Sequence, residues 1–296
     1  MFLCCGESLI DPVVTDPVGP IHARPGGGPA NAARALARAG LPTAFFGGPS
    51  TDPFGQAQRL TWESAGVDCS LCPVSDLPTA LAIALVCAEQ TRYTFHLAGT
   101  EAFEATSEPV PLVHPGGAPF EVVHVGGLGT AIEPVASALA EAAPRWRSAG
   151  SLVSYAPNVR AGLESRGHDR ASVERWVARA DIVKVSTEDV AALCPDSDMG
   201  SVVEAWLAAG PALVVVTDGP GEIVARTSAA GAQAQALRLP DCTFSVGAGD
   251  AFAAGLLSAL RSGGLLHGRI ALGRATADDL TTALTHATEH VARSLI

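Results

Sequence analysis

Gly247-Ala248-Gly249-Asp250 runs directly into Ala251-Phe252-Ala253-Ala254-Gly255-Leu256-Leu257-Ser258-Ala259-Leu260, a glycine turn followed by a stretch in which Phe252, Leu256 and Leu260 recur at helical spacing. The turn therefore sits at a helix N-terminus. Unpaired N–H groups and the positive end of the helix dipole receive an anion there, and the glycines let a phosphate approach the main chain closely. The charge of Asp250 would repel that anion. The conflict resolves if Asp250 takes a proton from a hydroxyl while the N–H groups around Gly247, Ala248 and Gly249 steady a phosphoryl group in transfer. Asp250 also fits a plainer role, satisfying free helix N–H groups, and these four residues alone leave the two roles even.

Outward from that turn, residues 26–40 repeat the theme at the other end of the chain. Gly26-Gly27-Gly28-Pro29-Ala30-Asn31 and then AARALARAG give a glycine run, a proline suited to the first helical turn, an alanine-rich helix and Gly40 as its stop. Short β-branched or apolar runs predict strands near 2–5, 43–47, 121–125, 152–155, 181–185 and 212–217. Longer alanine-rich stretches predict helices near 29–39, 53–65, 133–149, 187–194, 201–209, 249–262 and 277–293. Such alternation implies a mostly parallel sheet with helices on both faces. Residues 12–24 and 79–97 break the pattern and read as extended segments, with Glu89-Gln90-Thr91 as a hairpin turn in the second. Thr217-Asp218-Gly219-Pro220-Gly221 ends the strand from Leu213 to Val216, the end at which open α/β sheets place ligands; a simple hairpin turn fits the same residues.

Composition removes competitors. A chain of 296 residues with 48% apolar content can bury a large core. A net charge of −11 argues against a nucleic-acid or anionic-membrane surface, since both need clustered Lys and Arg. The sole lysine is Lys184, so no GxxxxGK[ST] loop exists and a P-loop kinase is excluded; the protein-kinase HRD and DFG patterns are absent too. MFLCCGE lacks the basic start of a secretory signal, and the longest apolar run, Ala80 to Ala88, is about half a membrane span, so the expected location is cytoplasmic. Seven cysteines, two adjacent at Cys4-Cys5, do not read as a disulfide framework. Cys69 and Cys72 form a CxxC without a second pair, and His286 and His290 lack a third ligand. Ordinary thiols and two solvated helix positions account for them.

The block from Asp241 to Leu257 and the block 26–40 resemble the two signature regions of the ribokinase-like, or PfkB, family of carbohydrate kinases. Gly6-Glu7 with Asp11, Asp52-Pro53-Phe54-Gly55, Gly66-Val67-Asp68, Pro157-Asn158-Val159-Arg160 and Thr217-Asp218-Gly219 follow in the family's order and spacing. GESLID near the start and ADIVKVSTEDVAAL at 180–193 are most similar to the fructokinase and 2-keto-3-deoxygluconate kinase branch. The resemblance implies a three-layer α/β/α sandwich in one domain over 1–296, with the segments 12–24 and 79–97 forming a small β-sheet lid. It implies ATP and Mg2+ as cofactors, a small-molecule sugar as substrate, Asp250 as base and a Gly247-Ala248-Gly249 anion hole. Asp11, Gly27, Gly28, Asn31, Asn158 and Arg160 match positions on the sugar side, although Asp11 also fits a turn and Asn31 a helix start. Thr217, Gly219 and Gly221, with Gly247 and Gly249, match positions along the nucleotide. Asp189 is the acidic equivalent of the family's magnesium-associated glutamate, acting through water. A homodimer through the lid is left open.

Departures from the family pattern blur the substrate. Phe244-Ser245-Val246 stands where many relatives carry an aspartate that helps bind a monovalent cation, which puts potassium activation in doubt. Ala156 replaces the aspartate of Asp-Pro-Asn-x-Arg, and Ser186 replaces an amide. Leu97 stands where closer relatives often have an arginine and cannot pair with an acidic sugar, which favours fructose or another neutral hexose over 2-keto-3-deoxygluconate. Tyr93 and Phe95 could wall a nucleoside base instead, and a binding protein that has lost transfer activity is the remaining alternative.

Overall fold

Strand β1 (Phe2–Cys5) is buried along its whole length and sends Phe2 and Cys4 to one face of a sheet and Leu3 and Cys5 to the other. In this computed structural model, which describes residues 1–16, 18–86, 91–104, 109–160, 162–163, 167–237 and 247–295, β1 lies between β4 (Thr43–Phe46) and β7 (Val122–Gly126). From β7 the parallel pairing continues through β8 (Leu152–Ala156), β9 (Ile182–Ser186) and β10 (Leu213–Thr217). β11 (Glu222–Arg226) and β12 (Gly231–Gln235) extend it antiparallel, giving the order β12-β11-β10-β9-β8-β7-β1-β4 among the described residues.

Helices cover both faces because both faces of the strands are apolar. On one side α1 (Gly28–Arg38), α7 (Ala248–Ser262) and α9 (Ala277–Leu295) pack Leu36, Phe252, Leu256 and Leu284 onto Phe2, Val122, Ile182 and Leu213. On the other, α3 (Val135–Ser148), α4 (Arg170–Val177) and α6 (Met199–Ala209) bring Leu139, Trp146, Trp176 and Trp206 against Leu3, Val123, Val183 and Val214. α2 (Pro53–Ser64), α5 (Thr187–Leu193) and α8 (Arg269–Gly273) complete the helical set. A second sheet in the order β3-β2-β5-β6 joins β2 (Leu9–Val14), β3 (His22–Gly26), β5 (Leu81–Val86) and β6 (Thr91–His96).

Several expectations change in detail. The first lid segment is two strands that begin at Leu9 and end at Gly26, not an extended run over 12–24, because Leu9 and Ile10 already pair with Gly26 and Leu81. β11, β12, α4 and α8 are additional elements. α4 carries a readable signal, since Asp169 accepts from the Ser172 N–H at 2.8 Å as an N-cap ahead of Val173, Trp176 and Val177. β12 (GAQAQ) carries none, and pairing with β11 is what makes it a strand. His290 is buried, not solvated: it packs against Gly255, where a Cβ would stand 2.7 Å from that of His290. Glu89 and Gln90 of the expected turn, and Phe244-Ser245-Val246, lie outside the described residues.

Candidate active site

α1 and α7 pack side by side, so the glycine turns that begin them open at one place. Asn31, in the first turn of α1, donates from Nδ2 to Asp250 Oδ2 at 3.0 Å, across 219 positions of sequence. Gly28 lies against the same group: a Cβ there would stand 3.3 Å from Asp250 Oδ1 and 3.5 Å from Asn158 Nδ2. Gly27 at φ +96° and Gly247 at φ +86° hold the left-handed backbone that the two turns require. A carboxylate and two amides thus meet between two helix N-termini.

The loop after β8 supplies the third side. Asn158 adopts φ +48°, and the loop is pinned where Asp189 Oδ1 accepts the Val159 N–H at 2.7 Å and His168 Nδ1 accepts the Arg160 N–H at 3.3 Å. Arg160 lies close enough to Asp11 and Asp250 to draw both toward their charged forms. The lid closes the fourth side. Alternation along β2, β5 and β6 puts Asp11 on the same face as Ala82, Tyr93 and Phe95, with the two rings stacked at 6.1 Å. Leu97 is buried with Leu9, Phe103 and Leu128 at the base of the lid, so it packs and does not face a ligand as a cation would.

Electrostatics single out the carboxyls. Burial raises Asp250 to about 6, while the Asn31 hydrogen bond and the Lys184 and Arg160 charges pull it back. Asp11 is also raised to about 6, by burial first and with a contribution from Asp250. Glu7 is raised to about 7; it is buried and accepts the Gly129 N–H at 2.8 Å, tying the end of β1 to the turn after β7. Glu7 and Lys184 are the residues that sequence reasoning passed over. Gly6-Glu7 was visible only as a family marker, and a single lysine read as a mark of what the chain lacks.

Thr217, Gly219 and Gly221 form the β10–β11 turn, with Gly219 at φ +46°. They stand at the carboxyl end of β10, so the segment is a hairpin turn at that edge of the sheet. Asp189 is occupied: besides Val159, its Oδ2 accepts the Ser186 N–H at 3.0 Å and Oγ–H at 2.7 Å, in a capping box that starts α5. Among the described residues no group of three or more His, Cys, Asp or Glu is arranged to hold a metal. That donor set fits a magnesium ion carried by phosphates and reached through water, not one held by the protein alone. Cys69 and Cys72 are buried free thiols that donate to backbone carbonyls, Cys69 to Val67 at 3.6 Å and Cys72 to Phe45 at 3.3 Å.

The family described as pfkB family carbohydrate kinase matches residues 3–283. A fructokinase of Rhizobium leguminosarum bv. trifolii is 33% identical over 270 residues, covering 90% of this chain and 81% of that protein. The chain belongs to the pfkB family of carbohydrate kinases. A fructokinase from Xylella fastidiosa, solved with bound ATP, superposes with a TM-score of 0.80 at 23% identity over 99% of this chain and 98% of that one. An aminoimidazole riboside kinase from Salmonella enterica, solved with aminoimidazole riboside and an ATP analogue, gives 0.78 at 23% identity over 99% and 92%. The fold of this pfkB kinase is therefore ribokinase-like. Its cavity of about 390 Å³ between α6, β10 and β11, lined by Met199, Val203, Val216 and Val224, lies on the opposite face of the sheet from Asp250 and holds none of the site residues above.

Proposed function

We propose that this pfkB carbohydrate kinase transfers the γ-phosphoryl group of ATP to a hydroxyl of a neutral hexose, fructose first, with Asp250 as general base. The observation that carries it is the Asn31–Asp250 contact at the meeting of two helix N-termini. An alcohol is a poor nucleophile at neutral pH, and a half-buried carboxylate raised to about 6 is matched to accepting its proton. The N–H groups at Gly247, Ala248 and Gly249 then face the phosphoryl oxygens, with no side chain between. Asp11, Asn31, Asn158 and Arg160 supply directional partners for sugar hydroxyls, and Gly27 and Gly28 leave room for the ring. Thr217, Gly219 and Gly221, at the carboxyl end of β10, line the nucleotide in this reading, and the ATP bound by the Xylella fastidiosa relative supports ATP as the phosphoryl donor. Magnesium would arrive with ATP, held by its phosphates and by water, and would neutralise their charge; the hydrogen bonds of Asp189 to Ser186 and Val159 favour a fastening role for that residue over a metal-linked one.

The Leu97 position supports a neutral sugar, because no cation stands there to meet a carboxylate. The stacked Tyr93 and Phe95 favour a second reading, a nucleoside kinase whose base slides against them. We also read the chain as one domain with its lid, and as a cytoplasmic enzyme that meets neither nucleic acid nor membrane; no helix among the described residues is long and apolar enough to cross a membrane. The lid sheet would pair with that of a second copy. A coupled ADP-release assay over sugars and nucleosides separates the substrates. Asp250→Asn should lower kcat by ~10²–10⁴-fold while ATP and sugar still bind. Near-wild-type turnover in that variant would overturn the assignment of the base.

A further inference from the structure

Lys184 is the only lysine in the chain, and it stands on β9 with 8% of its surface exposed. Ile182, two residues earlier on the strand, packs into the face of the sheet that carries α7, so Lys184 projects the same way. Its ammonium reaches the first turn of that helix: a Cβ on Gly249 would stand 3.1 Å from Nζ. Yet Nζ makes no hydrogen bond or ion pair to any described residue; burial pulls its pKa down, and the charges of Asp189 and Asp250 support the ammonium only from longer range. His124 beside it is held neutral, lowered to about 4 by burial and by the lysine charge, with Nδ1 at 3.1 Å from Ser154 Oγ. An ammonium on a residue with 8% of its surface exposed, without a protein partner and beside a helix N-terminus, is a cation placed to receive an anion.

We propose that Lys184 is a catalytic residue of phosphoryl transfer, its ammonium contacting the phosphoryl group in flight together with the N–H groups of the first turn of α7. The inference rests on the transfer reaction proposed above. In that step the sugar oxygen forms its bond to the γ-phosphorus as the bond to the bridging oxygen breaks, ADP leaves with the electron pair, and the hydroxyl proton passes to Asp250. Lys184 keeps its proton throughout and offsets charge only. Gly249 is then small for two reasons, to admit the phosphoryl group and to leave the ammonium its place.

A single lysine makes the test direct. Protein labelled with 15N-lysine carries one side-chain ammonium signal, which should shift and exchange more slowly when ADP, aluminium fluoride and fructose are added together, and less so with ADP alone. Lys184→Met should lower kcat by about 10²–10³-fold, as loss of one preorganised donor does, with the sugar KM little changed. It should also weaken the aluminium fluoride complex more than the ADP complex, and Lys184→Arg should recover part of the loss. An unmoved Nζ signal in active wild-type protein overturns the proposal even if the Met variant fails to fold, and so does a Met variant within threefold of wild-type kcat. Wild-type protein without kinase activity overturns the transfer reaction and this role with it.

Discussion

At the scale of single residues, the site is governed by how much charge can be kept out of water. Asp250 can act as the proposed base only when ionised, and burial has raised it from the usual carboxylate range to about 6. kcat/KM should therefore be full above about pH 7 and fall as pH drops through about 6, the limb being set by the free enzyme. Asn31→Ala removes the hydrogen bond that favours the carboxylate and should move that limb upward; a pH–rate profile from 4.5 to 8 reads both. The sign for stability is opposite. A folded-state value above the unfolded one means that Asp250 and Asp11 favour the fold below about pH 4, and that this contribution is lost as pH rises through about 6. The site works where it weakens its own fold. An acid limb centred below pH 5 would contradict the burial of Asp250. Asp250 and Asn31 were legible because each stands in a glycine turn ahead of a helix. Lys184 was not, because nothing local in IVKVS says what the side chain will face.

Between elements, the telling residue is Asp189, which one motif resemblance assigns to magnesium and the hydrogen bonds assign to architecture. Its carboxylate completes the capping box of α5 and at the same time holds Val159, between the two loop residues proposed to meet the sugar. Asp189→Ala removes the reciprocal half of the capping box and leaves the Ser186 and Val159 N–H groups unpaired, which should cost roughly 1–3 kcal/mol of stability. It should also loosen Asn158 and Arg160, raising the sugar KM more than the ATP KM, with the magnesium requirement nearly unchanged. Titrating magnesium in the variant decides the matter, since a tenfold higher requirement at unchanged Tm would make Asp189 a metal-linked residue and not a fastener. Residues 187–194 were readable as a helix, yet the coupling of its cap to the loop after β8 depends on two strands being neighbours. Neighbouring strands leave no local mark in a sequence. The β11–β12 hairpin shows the same limit, because Gly231 to Gln235 is extended only through its partner.

For the whole molecule, alternation of strands and helices was enough to foresee a parallel sheet clad on both sides, while the two non-helical segments read only as extended and it took the family resemblance to join them into a small second sheet. Strand order was not foreseeable, since every βα unit offers the same hydrophobic faces wherever it is placed. The lid sheet carries its own consequence. Asp11, Ala82, Tyr93 and Phe95 take the face toward the cleft, so Ile10, Pro12, Val14, Leu81, Ile83 and Leu85 share the other. Ile10, Pro12 and Val14 are already buried there, while Leu81, Ile83 and Leu85 remain partly exposed as an apolar strip along β5. A second copy of the chain, laying the same face against it, would bury both at once with a twofold axis. Sedimentation at micromolar concentration should then show a dimer, and Ile83→Asp should give a monomer. Because Ile83 lies outside the main core, the variant should keep its fold and its ATP KM. Its sugar KM should rise, since β2 and β5, which carry the lid face around Asp11, lose their backing. A wild-type monomer at all concentrations, or an Ile83→Asp dimer, would show that the outer lid face is left to water.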